Sequence, residues 1–352
     1  MAFKQITSPH AHMARNTSDI MLHVILACIP GLIAITYFFG PGTFINLVIA
    51  CTTALVAEAL ILKLRQRPIK PYLKDYSALV TGILLGLSLP PYCPWWVVVI
   101  GTASAIILAK QLYGGMGFNP FNPAMVGYVI LLISFPVEMT RWTIPAPALA
   151  DGQSLLGITE ALQQIWLGVS VDGYSGATPL DAFKQSNGFL VDQIYKNEPI
   201  FATGIWAGAG WEWVNLGFLL GGCYLLYKKI FTWHTPVGVL LSITILSALF
   251  YDNGSSSSGG STIMHLLSGA TMLGAFFIAT DPVSSAVSNK GRLIYGAGIG
   301  ILIYLIRVWG NYPDAVAFAV LLMNIVAPFI DYYTVPRSYG HTKPRKATDK
   351  PQ

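Results

Sequence analysis

Charge is what this sequence has least of: Asp, Glu, Lys and Arg make up 11% of its 352 residues, against about a quarter in an ordinary soluble domain. With 54% hydrophobic residues and a mean hydropathy of +0.57, the composition excludes a soluble globular chain and specifies an integral membrane protein. Cysteine is also scarce. Cys28, Cys51, Cys93 and Cys223 never form C-x-x-C, so neither an iron–sulfur nor a zinc framework is encoded. No nucleotide-binding loop is present either, so the chain is not expected to oxidise a soluble donor alone, and nothing in it points to nucleic acid. Met1 to Ser18 is polar, with His10, His12 and Arg15, and does not show the charged region followed by a short apolar run and a small-residue site that marks a secretory signal. That predicts a retained, cytoplasmic N-terminus.

Apolar runs are what the chain has in abundance. A spanning helix needs about 20 mostly apolar residues, fewer where its ends are buried in protein. By that measure there are ten segments, at 20–40, 43–62, 77–91, 95–113, 122–136, 213–229, 235–250, 264–280, 293–309 and 313–333. Gly and Pro cluster at the breaks, as in Pro90-Pro91-Tyr92-Cys93-Pro94 and Gly114-Gly115-Met116-Gly117. Cytoplasmic loops carry an excess of Lys and Arg. Placing both termini inside puts seventeen of the twenty-one basic residues on the cytoplasmic side and leaves only Arg141, Lys184, Lys196 and Arg307 outside. Residues 137–212 then form one long extracytoplasmic excursion, with eight acidic and three basic residues. Loops of that length within a compact domain are usually functional.

The fold class expected is an all-α polytopic membrane protein of about ten helices in two inverted five-helix repeats. Sliding the chain by about 190 residues sets S-A-L-V-T-G-I-L-L-G-L-S-L-P-P (77–91) against S-G-A-T-M-L-G-A-F-F-I-A-T-D-P (268–282), and P-A-M-V-G-Y-V-I-L-L (123–132) against P-D-A-V-A-F-A-V-L-L (313–322). Five helices per half is odd, so the halves would lie upside down to one another, as in inverted-repeat transporters. The organisation expected is an N-terminus and first repeat over 1–136, the loop 137–212, a second repeat over 213–334 and a basic cytoplasmic tail over 335–352.

The tetrapeptide S-G-A-T occurs twice, at 175–178 and 268–271. The second copy falls within the eighth apolar segment, where small residues serve helix packing. The first is preceded by Asp172-Gly173-Tyr174, and the run Asp172, Gly173, Tyr174, Ser175, Gly176, Ala177, Thr178 is similar to the acceptor sequence on which a bacterial flavin transferase esterifies flavin mononucleotide (FMN) to threonine. Gly173 permits a turn, Gly176 and Ala177 are small neighbours for the hydroxyl, and Pro179 stops an incoming helix. The competing reading is an ordinary solvated turn.

Further stretches carry a wider resemblance: Q-L-Y-G-G-M-G-F-N-P-F-N-P-A-M-V-G-Y (111–128), S-G-A-T-P-L-D (175–181), A-G-A-G-W-E-W-V-N (207–215), H-L-L-S-G-A-T-M-L-G-A-F-F-I-A-T-D-P-V (265–283) and Y-P-D-A-V-A-F-A-V-L-L-M-N (312–324). From about Ser8 to His341 the chain resembles the D-subunit family of the bacterial Rnf (Rsx) electron-transport complex, and more distantly the B subunit of sodium-pumping NADH:quinone reductase. The likeness is least in 143–170 and 251–262.

The resemblance implies a multi-pass subunit of the bacterial inner membrane with FMN on Thr178 in a periplasmic loop. It would be one station between ferredoxin- and NAD-linked subunits, coupled to Na+ or H+ movement. Its partners would be subunits of the A, B, C, E and G types, the flavin transferase and membrane lipid, and activity would require the assembled complex. In the related B subunit riboflavin is held without a covalent bond, and that stays open here. On the fold alone, an inverted-repeat solute or ion transporter without a redox cofactor is the alternative.

Other residues have two readings each. Asn119 and Asn122, each before a proline, line a cofactor or ion cavity or simply start a helix. Asp281 and Asp314, at helix ends, contact an ion or cap. Glu58 belongs to an ion path or snorkels to the interface. His23 and His265 are read as packing or hydrogen-bonding residues, and Trp95, Trp96, Trp206, Trp211 and Trp213 as an interfacial belt.

Overall fold

A computed structural model describes residues 16–334, apart from 151, 169–172, 187, 252–253, 256–257, 311 and 313–314. Asp172, Asp314 and the basic tail 335–352 lie outside the described residues. Among those described there is no strand, only the isolated bridges Thr143–Ser175 and Leu190–Ser255. Every one of the ten apolar segments contains helix. They are α1 (Thr17–Phe39), α2 (Gly42–Leu64), α3 (Ser77–Ser88), α4 (Trp95–Ser104), α5 (Pro123–Ser134), α6 (Trp211–Tyr227), α7 (His234–Leu249), α8 (Thr262–Leu267), α9 (Asn289–Trp309) and α10 (Val316–Thr334).

Four of these, α1, α2, α9 and α10, are long and apolar enough to cross a membrane unaided. The 23 residues of α1 span about 35 Å at 1.5 Å per residue, more than the ~30 Å hydrocarbon layer. The chain is thus a polytopic membrane protein. Outward-facing Ile33, Tyr37, Val56 and Leu64 are more than half exposed, as suits side chains whose solvent is lipid. Inside, α1 lies along α6, α2 along α3, α7 along α9, and α9 along α10. The contact of α7 with α9 needs a bare backbone: a Cβ at Gly296 would come within 2.3 Å of the Thr235 carbonyl oxygen.

Two segments depart from simple helix. α4 continues as a π-helix over Ala105–Gln111, a local widening that is frequent at functional sites. The eighth segment, expected as one helix carrying the second S-G-A-T, is instead broken: α8 ends at Leu267, the chain turns through Ser268-Gly269-Ala270, and Thr271–Leu273 resumes as helix before a π-turn over Gly274–Ile278.

Backbone groups freed at a buried helix break must find partners inside the protein, and Asn215 of α6 supplies them. Its Nδ2 donates to the carbonyls of Leu267 (2.9 Å) and Gly269 (3.0 Å), and its Oδ1 accepts from Met272 N (3.1 Å). Thr271 Oγ1 donates to the His265 carbonyl at 2.8 Å and Arg307 Nη1 to the same oxygen at 2.8 Å. Small residues therefore permit a turn here rather than close helix packing. Because buried polar groups left unpaired cost about 1–3 kcal/mol, Asn215→Leu is expected to lower the thermal midpoint of the detergent-solubilised chain by more than exposed Thr52→Val. An unchanged midpoint would remove Asn215 from this role.

Candidate functional site

The loop 137–212 is folded where it is described, and the stretch that ends at Thr178 is held at three points. Backbone pairing comes first: Ile144 N donates to Tyr174 O and Gly176 N to Trp142 O, both at 2.9 Å. Gly173 adopts a left-handed φ of +88°, so the predicted turn is present. Gly176 has a reason that the sequence did not disclose. A Cβ there would lie 2.5 Å from Ile144 Cγ1, so Gly176→Val is expected to push the strand-like pair apart and make the Trp142–Gly176 segment more susceptible to limited proteolysis. Unaltered cleavage would count against the pairing.

The second hold is a helix cap. Thr178 is the N-cap of the loop helix Pro179–Gln185, with proline in the first turn, where its missing N–H costs nothing. Asp181 N donates to Thr178 Oγ1 at 3.2 Å. In return Asp181 Oδ2 accepts from Thr178 Oγ1 at 2.7 Å and from Thr178 N at 3.3 Å. This is a reciprocal capping box whose T-x-x-D spacing was present in the sequence.

The third hold is tertiary. Pro179, Leu180, Ala182 and Phe183 are buried, Phe183 meets Phe201 edge-on at 5.3 Å between ring centroids, and Lys184 Nζ donates to the carbonyls of Gly310 (2.8 Å) and Tyr312. Thr178 is left only 8% exposed.

Thr178 and Asp181 form part of the wall of a mainly apolar cavity of about 80 Å³, shared with Met125, Tyr128, Met139, Trp142, Trp211 and Tyr312. Trp142 and Trp211 lie 4.9 Å apart, and Trp211 meets Phe39 edge-on at 5.1 Å. Trp211 is 5% exposed and so belongs to the core, not to an interfacial belt. Trp206 and Trp213 are 47% and 45% exposed. Aromatic and thioether side chains beside a hydroxyl suit a tethered ring system. The volume is well under the ~300–1,000 Å³ of sites that enclose a whole ligand, so the cavity admits an edge of a flavin ring and not all of it. An ester oxygen has no proton, so esterification would also take from Asp181 its strongest hydrogen bond to Thr178.

The other candidates among the described residues, Asn119, Asn122, Asp281 and Glu58, lie toward the opposite end of the helices. Asn119, Asn122 and Asp281 line a second cavity, of about 660 Å³, with Lys110, Lys229 and Arg292 in its wall. All of these come from segment ends expected to face the cytoplasm. Asn122 caps α5 through Met125 N (3.3 Å) and donates to the Ile278 carbonyl (3.3 Å), while Asn119 Nδ2 donates to the Phe121 carbonyl at 2.9 Å. Asp281 accepts from Ser284 Oγ at 2.7 Å and Val283 N at 3.3 Å. Burial pushes its carboxyl above the usual range, and those hydrogen bonds pull the other way.

Glu58 is 1% exposed and does not snorkel. Its Oε1 meets Lys110 Nζ at 2.7 Å and accepts from Gln111 Nε2 at 2.7 Å. Lys110 also donates to Ser77 Oγ at 2.7 Å. Lys110 and Gln111 lie on the π-helix, so the widened turn delivers both partners to the carboxylate. His23 bonds Tyr224 Oη at 2.8 Å and His265 the Ser258 carbonyl at 3.3 Å, in keeping with their hydrogen-bonding reading. Among the described residues no group of three or more His, Cys, Asp and Glu could hold a metal.

Comparison with known proteins gives a single direction. Residues 4–340 match the model of the NQR2, RnfD, RnfE family. The chain is 62% identical over 350 residues to the D subunit of the ion-translocating oxidoreductase complex of Cellvibrio japonicus, covering 99% of this chain and 98% of that one. It is 56% identical to the protein of the same description in Ectopseudomonas mendocina, with 98% of each chain covered. Against that of Salmonella newport it is 53% identical, over 97% of this chain and 100% of the other. A match that runs almost end to end leaves no room for a different assignment: the chain belongs to the NQR2, RnfD, RnfE family.

Proposed function

We propose that this protein is a membrane subunit of an ion-translocating electron-transport complex and carries FMN as a phosphoester on Thr178. The relatives' description as the D subunit of an ion-translocating oxidoreductase complex supports the first half. The observation that carries the second is that Thr178, within D-G-Y-S-G-A-T, lies in the wall of a cavity lined also by Trp142, Trp211 and Tyr128. Bound flavin would supply one- and two-electron transfer; the protein's part is to hold the ring and set its surroundings. Trp142 and Trp211 would bear on the ring edge, Asp181 would yield its place beside the phosphate, and the apolar lining would keep water from it.

On this reading 137–212 faces the periplasm of a bacterial inner membrane, and the ends around the larger cavity face the cytoplasm. That cavity, with Asn119, Asn122 and Asp281 in its wall and a volume within the range of small-molecule sites, is where a second, non-covalent flavin such as riboflavin would bind. Glu58 and its Lys110 partner are the place to look for ion movement, Na+ or H+. Two inverted five-helix repeats are favoured by the meeting of helices that the repeat makes equivalent, α1 with α6 and α5 with α10. The other subunits would supply the ferredoxin- and NAD-linked steps.

The test is direct. The chain is produced together with a flavin transferase, denatured, run on a gel and viewed under ultraviolet light. A fluorescent band with the mass increment of one FMN is expected; a dark band of unmodified mass would sink the redox reading and leave the transporter alternative.

A further inference from the structure

A hydroxyl that must enter another enzyme's active site needs to be reachable, and the one at Thr178 is not. It is 8% exposed, its proton is held by Asp181 Oδ2 at 2.7 Å and its lone pair by Asp181 N at 3.2 Å. The residues that follow it, Leu180 and Phe183, are sunk in the core. The residues that precede it are paired with Trp142 and Ile144. A transferase would need the Thr178 hydroxyl, and with it the start of the helix that follows, lifted out of the core. The folded loop exposes Gly173, Ser175 and Ala177 before Thr178, but Thr178 itself and Pro179 and Leu180 after it are buried.

From this we propose that flavin attachment to Thr178 happens while the loop helix Pro179–Gln185 is undocked, and that the Asp181 cap and the Lys184 anchor close the site against the transferase. The proposal rests on the reading of Thr178 as the flavin acceptor and adds its timing. In the reaction, Oγ1 forms a bond to the flavin-side phosphorus of a flavin adenine dinucleotide, the pyrophosphate anhydride breaks, adenosine monophosphate leaves, and the hydroxyl proton passes to solvent. Asp181 cannot keep its short hydrogen bond through this step, because the product oxygen has no proton and the new phosphodiester is anionic. The cap therefore has to open for the chemistry as well as for access. Lys184 acts at a distance, by fixing the far end of the same helix to the carbonyls of Gly310 and Tyr312.

The experiment uses the full chain, produced without transferase and purified in detergent, then mixed with transferase and flavin adenine dinucleotide. Covalent flavin is followed on denaturing gels over time. Folded wild type is expected to label slowly. Loss of a cap shifts a local opening equilibrium by about 5–30-fold, so Asp181→Ala should label faster by that factor, and Lys184→Ala should label faster too. Wild type briefly exposed to enough urea to raise amide exchange at Ala182, whose N–H bonds to the Thr178 carbonyl, should gain rate in parallel with that exchange. This last arm needs no variant to fold.

If folded wild type labels as fast as both variants, or if urea opens Ala182 without changing the rate, attachment does not depend on undocking and the inference fails. If Asp181→Ala labels more slowly while Lys184→Ala is unchanged, Asp181 assists the chemistry instead, and the inference fails as well. Were no form to label, in this assay or on co-production, the flavin reading itself would fall, which is a separate result.

Discussion

Thr178→Ala is expected to abolish covalent flavin on this chain completely, whereas Thr271→Ala should leave it at the wild-type level. Both threonines end an S-G-A-T, so tetrapeptide recognition alone would predict an effect at either. The structure separates them. Thr271 is fully buried at the break after α8, with its hydroxyl given to the carbonyls of His265 (2.8 Å) and Ser268 (3.0 Å), and no loop beside it could be drawn out to an enzyme. Thr178 lies instead within the loop 137–212, outside the ten apolar segments, as the N-cap of a seven-residue helix. The variant also removes an N-cap, which costs about 1 kcal/mol. That is too little to unfold a protein of this size, so the thermal midpoint should fall only slightly while flavin fluorescence disappears. Thr178→Ser, which keeps the hydroxyl and the cap, should retain fluorescence. Persistent fluorescence in Thr178→Ala would place the ester elsewhere and withdraw the assignment.

The sequence carried the helices well and their interruptions poorly. Each of the ten apolar segments contains helix, and four of those helices are long and apolar enough to cross a membrane, because lipid imposes one requirement, an apolar exterior over a fixed length, which a window of composition can read. Hydropathy read 264–280 as continuous because Ser268, Gly269 and Ala270 are all acceptable within a membrane helix. What breaks the helix is Asn215, more than fifty residues earlier in the chain, offering the freed carbonyls a partner. The same limit applied to charge. Glu58 looked like a carboxylate within reach of the interface, since its true partner, Lys110, belongs to a different helix and reaches it only through the π-turn at 105–111.

At the candidate site the split is finer. The motif and its turn could be read residue by residue, and the T-x-x-D cap was available in the spacing of Thr178 and Asp181. Missed altogether were Ile144 as the reason for Gly176, and Trp142 and Trp211 as cavity wall. Each of those depends on where a loop of some seventy residues lies against the helices. No local periodicity encodes that placement.

The largest stability effect is expected at the Glu58–Lys110 pair. Both side chains are almost wholly withdrawn from solvent, at 1% and 3% exposure, with a 2.7 Å contact. Removing one member of such a pair leaves the other without a counter-charge in a low-dielectric setting, and typically costs about 3–5 kcal/mol. Lys110→Met should therefore destabilise the detergent-solubilised chain far more than loss of an exposed lysine such as Lys63. Its loss also deprives Ser77 of the Lys110 donor, and leaves Glu58 Oε1 with the neutral Gln111 amide in place of a cation.

Glu58→Gln alone should be severe for the complementary reason, since it leaves the ammonium unmatched. The double variant Glu58→Gln, Lys110→Met should recover much of the loss, because it buries no isolated charge; a coupling energy within the 0.5–3 kcal/mol usual for contacting residues, or above it, is the signature. Additive losses in that cycle, or a Lys110→Met chain as stable as wild type, would mean that the two charges are already solvated in the membrane and that the pair does not hold α2 to the π-helix.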